Sequence, residues 1–322
     1  MRVLSGIQPT GRFHWGNYFG AIQQYLDLQR EDESYYFIAN LHALTTVREK
    51  DVLWQNSVDA ALDLLALGLD PSHATLFLQS DVPEVSELCW LLMTGTPLGL
   101  LERCHAYKEK KAKGLKADAG LFTYPVLMAA DILAYDADIV PVGEDQVQHI
   151  EVTRDLAGSF NHQFGETFVL PKAKVLESSA KVPGADGQKM SKSYGNTIPL
   201  FGTPKQLQKS INKIKTNLLE PGEPKDPDES TVFQIWAAFA DDQERERMRE
   251  DFLAGLGWGE AKKQLFELVN GHLEAPRERY LELMDKPGRV EEILQAGAER
   301  LRPQSKALLE QVRDAVGLRR YA

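Results

Sequence analysis

Cysteine is scarce: Cys89 and Cys104 are the only two in 322 residues. No C-x-x-C pair exists, so thiolates alone cannot build a zinc or iron–sulfur cage, and no protein-bound metal is expected. Both lie in or beside the apolar stretch SELCWLLMTGTPLGLLERC, which suits reduced core residues of a cytosolic protein. Long apolar runs are also missing. No segment offers the roughly 20 apolar residues that span a bilayer, and the start MRVLSGIQPTG has no signal-peptide pattern. A cytoplasmic protein without a membrane partner is expected. Positive charge is in deficit, with 37 Lys and Arg against 47 Asp and Glu and a net charge of -10. That argues against a DNA-binding protein and leaves only local patches for other nucleic-acid contacts. What remains is ordinary for a folded chain. Hydrophobic residues make up 43% and charged residues 26%, enough for one large or two medium domains with a real core.

The patterning divides the chain. VLSGIQ (3–8) reads as a strand ended by Pro9 and Gly11. YFGAIQQYLDLQ (18–29) places Ile22, Tyr25, Leu26 and Gln29 at helical spacing. YYFIA (35–39) reads as a buried strand, 51–70 as a helix closed by Gly68, ATLFLQS (74–80) as a strand and VSELCWLLM as a helix. DIVPV (138–142) and 147–160 continue the alternation. The expected fold is α/β, a Rossmann-like doubly wound parallel sheet over 1–202. From 203 the patterns are charged and helical, with a Pro- and acid-rich linker or loop at EPGEPKDPDES (220–230). Leu265, Leu268, Val269 and Leu273 form a narrow apolar stripe. A helical domain is expected over 203–290, and a last helix over 291–322 packing back on the first domain.

The stretch GIQPTGRFHWGNYFG (6–20) has Gly6 and Gly11 at the spacing of a P-loop. Arg12 and Phe13 stand where that loop needs Lys followed by Ser or Thr, which excludes it. A strand, a Gly/Pro turn and a helix start remain. Free N–H groups at a helix N-terminus suit phosphate. His14 and Asn17 flank Gly16, whose missing Cβ admits a base or phosphate close to the backbone. A plain helix start explains the glycines equally. In GQKMSKSYGN (187–196), Lys189, Ser191, Lys192 and Ser193 lie between Gly187 and Gly195. Such a mobile cationic loop can close on a polyphosphate; a solvated surface loop has the same composition. In TYPVLMAADILAYDADIVPVGEDQVQHIEVTRDLA (123–157), Tyr124, Met128 and Asp131 share one helix face. An aromatic, a thioether and a single carboxylate suit an indole with one N–H, though a core stripe shares that spacing. Val140 and Val142 stand to wall the ring. Gly143, Glu144, Asp145 and Gln146 sit where strand passes to helix, the ligand edge of a parallel sheet. YKEKKAKGLK (107–116) and KQLQKSINKIK (205–215) are basic patches. Trp15 is expected to pack under the turn, and His149 receives no role.

HWGN resembles the HIGH signature of class I aminoacyl-tRNA synthetases, and KMSKS matches their second signature letter for letter. Asn17 replaces the last histidine, as in the tryptophanyl and tyrosyl branch. Gly6–Tyr18 and residues 123–157 look very similar to the bacterial tryptophanyl-tRNA synthetases. The resemblance implies activation of L-tryptophan by ATP with Mg²⁺, transfer to tRNA(Trp), and a homodimer for which CWLLMTGTPLGLL offers an apolar face. It implies catalytic roles for His14, Asn17, Lys110, Lys189 and Lys192. ATP would lie against Gln8, Pro9, Thr10, Gly16, Asn17, Gly143, Glu144, Asp145 and Val182, and against Lys189, Met190, Ser191, Lys192 and Ser193. Tryptophan would meet Tyr124, Met128, Asp131, Val140, Val142 and Gln146. A tyrosyl enzyme and a non-charging paralogue that binds tRNA or a nucleotide are the alternatives.

Overall fold

The computed structural model describes residues 1–29, 33–112, 114, 118–175, 182–286 and 288–318, apart from the side chains at 106, 109–111, 145 and 193. Lys110, Asp145 and Ser193 are thus outside the described side chains.

The apolar, β-branched run at the start forms β1 (Arg2–Ile7), followed by α1 (Trp15–Asn17), a π turn (Tyr18–Ile22) and α2 (Gln23–Leu28). The helix begins at Trp15, with His14 as its N-cap. β2 (Glu33–Ile38), α3 (Asn40–Ala43), α4 (Lys50–Leu67) and β3 (Ala74–Leu78) follow. Gly68 ends α4 at φ 111°, a left-handed cap that glycine adopts without steric cost. Then come α5 (Glu84–Thr94), α6 (Leu98–Glu102), α7 (His105–Ala112) and α8 (Ala119–Leu133). β4 (Ile139–Val142), α9 (Val147–Phe164) and β5 (Lys172–Val175) complete the sheet. Its order is β3-β2-β1-β4-β5, with every pairing parallel. The order reverses between β1 and β4, so a crevice opens beyond their carboxyl ends, where open parallel sheets bind ligands.

The remaining helices are α10 (Pro204–Asn212), α11 (Thr231–Phe239), α12 (Asp242–Leu253), α13 (Trp258–His272), α14 (Glu274–Met284) and α15 (Arg289–Ala315). One apolar cluster runs without a break from Phe13, Trp15 and Phe19 into Phe233, Phe252 and Leu265. The second cluster, on α5, α8 and α9, takes in Leu301 and Leu308 of α15. The stretch 220–230 is a packed loop rather than a free linker. Lys225 is 1% exposed there, donates Nζ to the carbonyls of Glu220 and Glu223, and lies over the Trp258 ring. Cys89 and Cys104 are free and buried. Burial, helped by the charge of Asp131, pushes the Cys89 thiol up to about 12 and leaves it inert. Among the described residues no helix is long and apolar enough to cross a membrane.

α15 lies directly on the backbone of β3. A Cβ on Gly297 would run into the carbonyl oxygen of Leu76. Gly297→Ala should therefore lower stability by about 1–3 kcal/mol, the range for overpacking a filled interface. Urea denaturation of the variant against the wild type measures it.

Candidate active site

The opening turn is shaped by what its glycines leave out. A Cβ on Gly6 would strike the Phe37 ring, and Gly11 sits at φ 104°. His14 caps α1 in extended conformation, and its backbone N–H donates to Asn17 Oδ1 at 3.1 Å. The Asn17 amide thereby turns its Nδ2 donors away from the cap. The His14 ring is 8% exposed and its Nδ1 has no hydrogen-bond partner. Burial first, and the Lys192 charge second, lower its pKa to about 4. At neutral pH the ring is uncharged and donates through a single N–H. Trp15 is fully buried beneath the turn and meets the edge of Phe239 at 5.1 Å.

The loop carrying the second signature is anchored on this turn rather than left free. Trp15 donates its N–H to the Ile198 carbonyl, and Leu200 donates to that of Phe13. Asn196 organises the loop. Its Oδ1 accepts from the Ser191 N–H at 2.8 Å, and Nδ2 donates to Asp186 Oδ1 and to the Lys189 carbonyl. Lys192 Nζ reaches the Thr10 carbonyl at 3.0 Å. Lys189 is exposed, while Val182 and Met190 are buried together in the core. A Cβ on Gly16 would press on Met190 and the His14 ring, and the Gly16 N–H donates to Met190 Sδ at 3.3 Å. The glycine lets the two signatures touch.

Beside this turn, at the switch point between β1 and β4, lies a cavity of about 140 Å³. Gln8, Tyr124, Met128, Asp131, Val140 and Gln146 all line it, with Phe37, Ala39 and His42. Val142 is buried but lies outside that lining. Gly143 caps the short turn Glu144–Gln146 that brings Gln146 in. Asp131 is 1% exposed. Burial raises its pKa, opposed by His42 and then Gln79. Gln79 Nε2 donates to both carboxylate oxygens at 2.8 and 2.9 Å, and His42 Nε2 lies 2.9 Å from Oδ2. These partners hold an acceptor at the cavity wall and leave it capacity for one more donor. The Tyr124 hydroxyl lies 2.6 Å from His149 Nε2, which gives His149 a part the sequence reading withheld.

Sequence reasoning also missed His42 and Gln79. Both fall just beyond the carboxyl end of a parallel strand, β2 and β3, which is the positional signal that marks the ligand edge. Chemically the site joins an apolar slot, with a buried acceptor in its wall, to a turn that offers a neutral imidazole and a lysine.

The family of class I tRNA synthetases (W and Y) matches residues 1–274. A tryptophan–tRNA ligase of Rhodopirellula baltica is 63% identical over 320 residues, 99% of this chain and 100% of that protein. One of Campylobacter jejuni is 48% identical over 319 residues, again 99% of this chain and 100% of its own length. The crystal structure of Campylobacter jejuni tryptophanyl-tRNA synthetase complexed with ADP and tryptophan superposes with a TM-score of 0.92 at 47% identity, covering 98% of this chain and 100% of that one. With both signatures meeting at the switch point of a parallel sheet, the chain belongs to the class I tRNA synthetases of the tryptophan and tyrosine family.

Proposed function

We propose that this chain is a tryptophan–tRNA ligase. The tryptophan carboxylate attacks the ATP α-phosphorus in line, giving tryptophanyl-adenylate and pyrophosphate. A hydroxyl of the 3'-terminal ribose of tRNA(Trp) then takes the acyl group as an ester, and AMP leaves. The observation that carries this reading is the cavity with Asp131 in its wall. Met128, Val140 and Phe37 offer the indole an apolar bed, and Asp131 accepts its N–H. A ligand without that donor leaves a buried carboxylate short of a partner, which is how a polar site rejects analogues. Tyr124 and Gln146 are assigned the α-amino group.

The attacking carboxylate is already ionised, so no general base is required. Catalysis is positioning and charge stabilisation. His14 and Asn17 donate to the triphosphate, and Lys192 and Lys189 follow the charge that builds on the leaving pyrophosphate. Mg²⁺ enters with ATP as part of the substrate and shares in neutralising that charge. Lys110 is assigned to the triphosphate and Asp145 to the ribose by resemblance. The helical domain 203–290 is assigned to the anticodon, whose unstacked bases suit single-strand readout. Trp90 and Leu98 are 64% and 69% exposed on α5 and α6, which supports a homodimer through that face. The cytoplasm is the assigned location.

ATP–pyrophosphate exchange scanned over all amino acids tests the reading. Tryptophan alone should support it; equal exchange with tyrosine would overturn it. Asp131→Ala should cut selectivity for tryptophan over tyrosine by about a hundredfold. Gln79→Leu removes a donor from Asp131 and should raise the KM for tryptophan about tenfold, with little change in kcat. Lys192→Ala should lower the exchange kcat by about a hundredfold while leaving tryptophan affinity, measured by fluorescence titration, nearly intact.

A further inference from the structure

Asp63 sits on α4, 1% exposed, directly beneath the opening turn. Its Oδ2 accepts the Phe13 backbone N–H at 3.4 Å. Its Oδ1 is buried without a hydrogen bond and faces Arg12 Nη1 at 3.6 Å. Arg12 is itself held by several groups. Its Nε pairs with Asp59 at 3.2 Å, Nη1 donates to the Tyr280 hydroxyl at 2.6 Å, and the guanidinium lies over the Tyr280 ring. Lys192 approaches the same turn from the second-signature loop. Its Nζ meets the Thr10 carbonyl and lies 3.3 Å from where a Cβ on Gly11 would stand. Asp63 and Lys192 thus meet the same four-residue turn, the carboxylate at Phe13 and the ammonium at Thr10.

We propose that Asp63 is a positioning residue for Lys192, a buried counter-charge that draws the lysine onto the opening turn until a nucleoside triphosphate takes it over. The inference rests on the reading of Lys192 as a triphosphate group. A lysine is a flexible point charge, and the single carbonyl of Thr10 is a weak anchor for it. A buried anion beneath the turn acts through a medium less polar than water and orients the ammonium without touching it. Gly11 leaves the path over the turn open. The triphosphate, with a larger negative charge, outbids the single carboxylate, so the hold opposes ATP binding by a modest factor.

Protonation switches the hold. The groups facing Asp63 are Arg12 and the Phe13 N–H from the turn, Asp59 on its own helix, Lys192 from the loop and Tyr280 from α14. Burial dominates and lifts the Asp63 carboxyl to about 7. The hold is present above that pH and fades below it.

The test is ATP–pyrophosphate exchange with the full chain. Asp63→Asn keeps the shape and removes the charge. At pH 8 its KM for ATP should fall about threefold to tenfold with kcat within about twofold, and at pH 6 it should equal the wild type. Comparing each variant with wild type at the same pH cancels the ionisation of ATP itself. In a Lys192→Ala background the same substitution should change nothing. An unchanged or raised KM at pH 8, or the same shift without Lys192, overturns the inference. If Asp63→Asn does not fold, wild type and Lys192→Ala are compared directly. The ratio of the wild-type KM for ATP to that of Lys192→Ala at the same pH should rise between pH 6 and pH 8, and a ratio that stays constant overturns the inference. Exchange at wild-type rate by Lys192→Ala would instead overturn the reading of Lys192, and the inference with it.

Discussion

Two backbone hydrogen bonds, Trp15 N–H to the Ile198 carbonyl and Leu200 N–H to that of Phe13, hold together segments far apart in sequence. The meeting of the two signatures depends on them. They bring Met190 against Gly16 and Lys192 against Thr10. Without that pairing His14 and Asn17 would remain a helix start, and the lysines a surface loop. The pairing in turn stands on the core beneath it, where Trp15 and Phe19 both pack edge-on against Phe239. The helical part and the opening turn therefore share one apolar cluster.

The cavity beside them obeys a different constraint. A carboxylate taken out of water must be hydrogen-bonded or neutralised. Asp131 meets this with Gln79 and His42, each delivered from the end of a neighbouring strand. The parallel register of β1, β2 and β3 sets where those ends lie. The polar wall of the cavity is thus built by the sheet as much as by the helix that carries Asp131.

Much of this was legible beforehand. Apolar runs and helical spacing outlined the sheet and the first helices, and the i, i+4, i+7 spacing put Tyr124, Met128 and Asp131 on one face. What periodicity cannot convey is which strand ends become neighbours. Gln79 and His42 are ordinary polar residues after two strands until the sheet order sets them on Asp131. Arg12 and Asp63 escaped for a similar reason, since their approach depends on how α4 lies under the turn. A missing Cβ at Gly16 reveals that something comes close, never what, and only the folded chain sets Met190 there. Lys225 was hidden by composition: a Pro- and acid-rich segment resembles a linker, although here two carbonyls and an indole bury its lysine.

The bond from the His14 N–H to Asn17 carries one further implication. It fixes Oδ1 on the start of the helix and so sets which end of the side-chain amide carries the donors. Aspartate at position 17 would accept the same N–H and preserve the backbone, the fold and the outline of the turn, yet it has no donor to offer. In the proposed triphosphate site that exchange puts a negative oxygen where a donor is assigned, so stability and function at this residue can be varied independently.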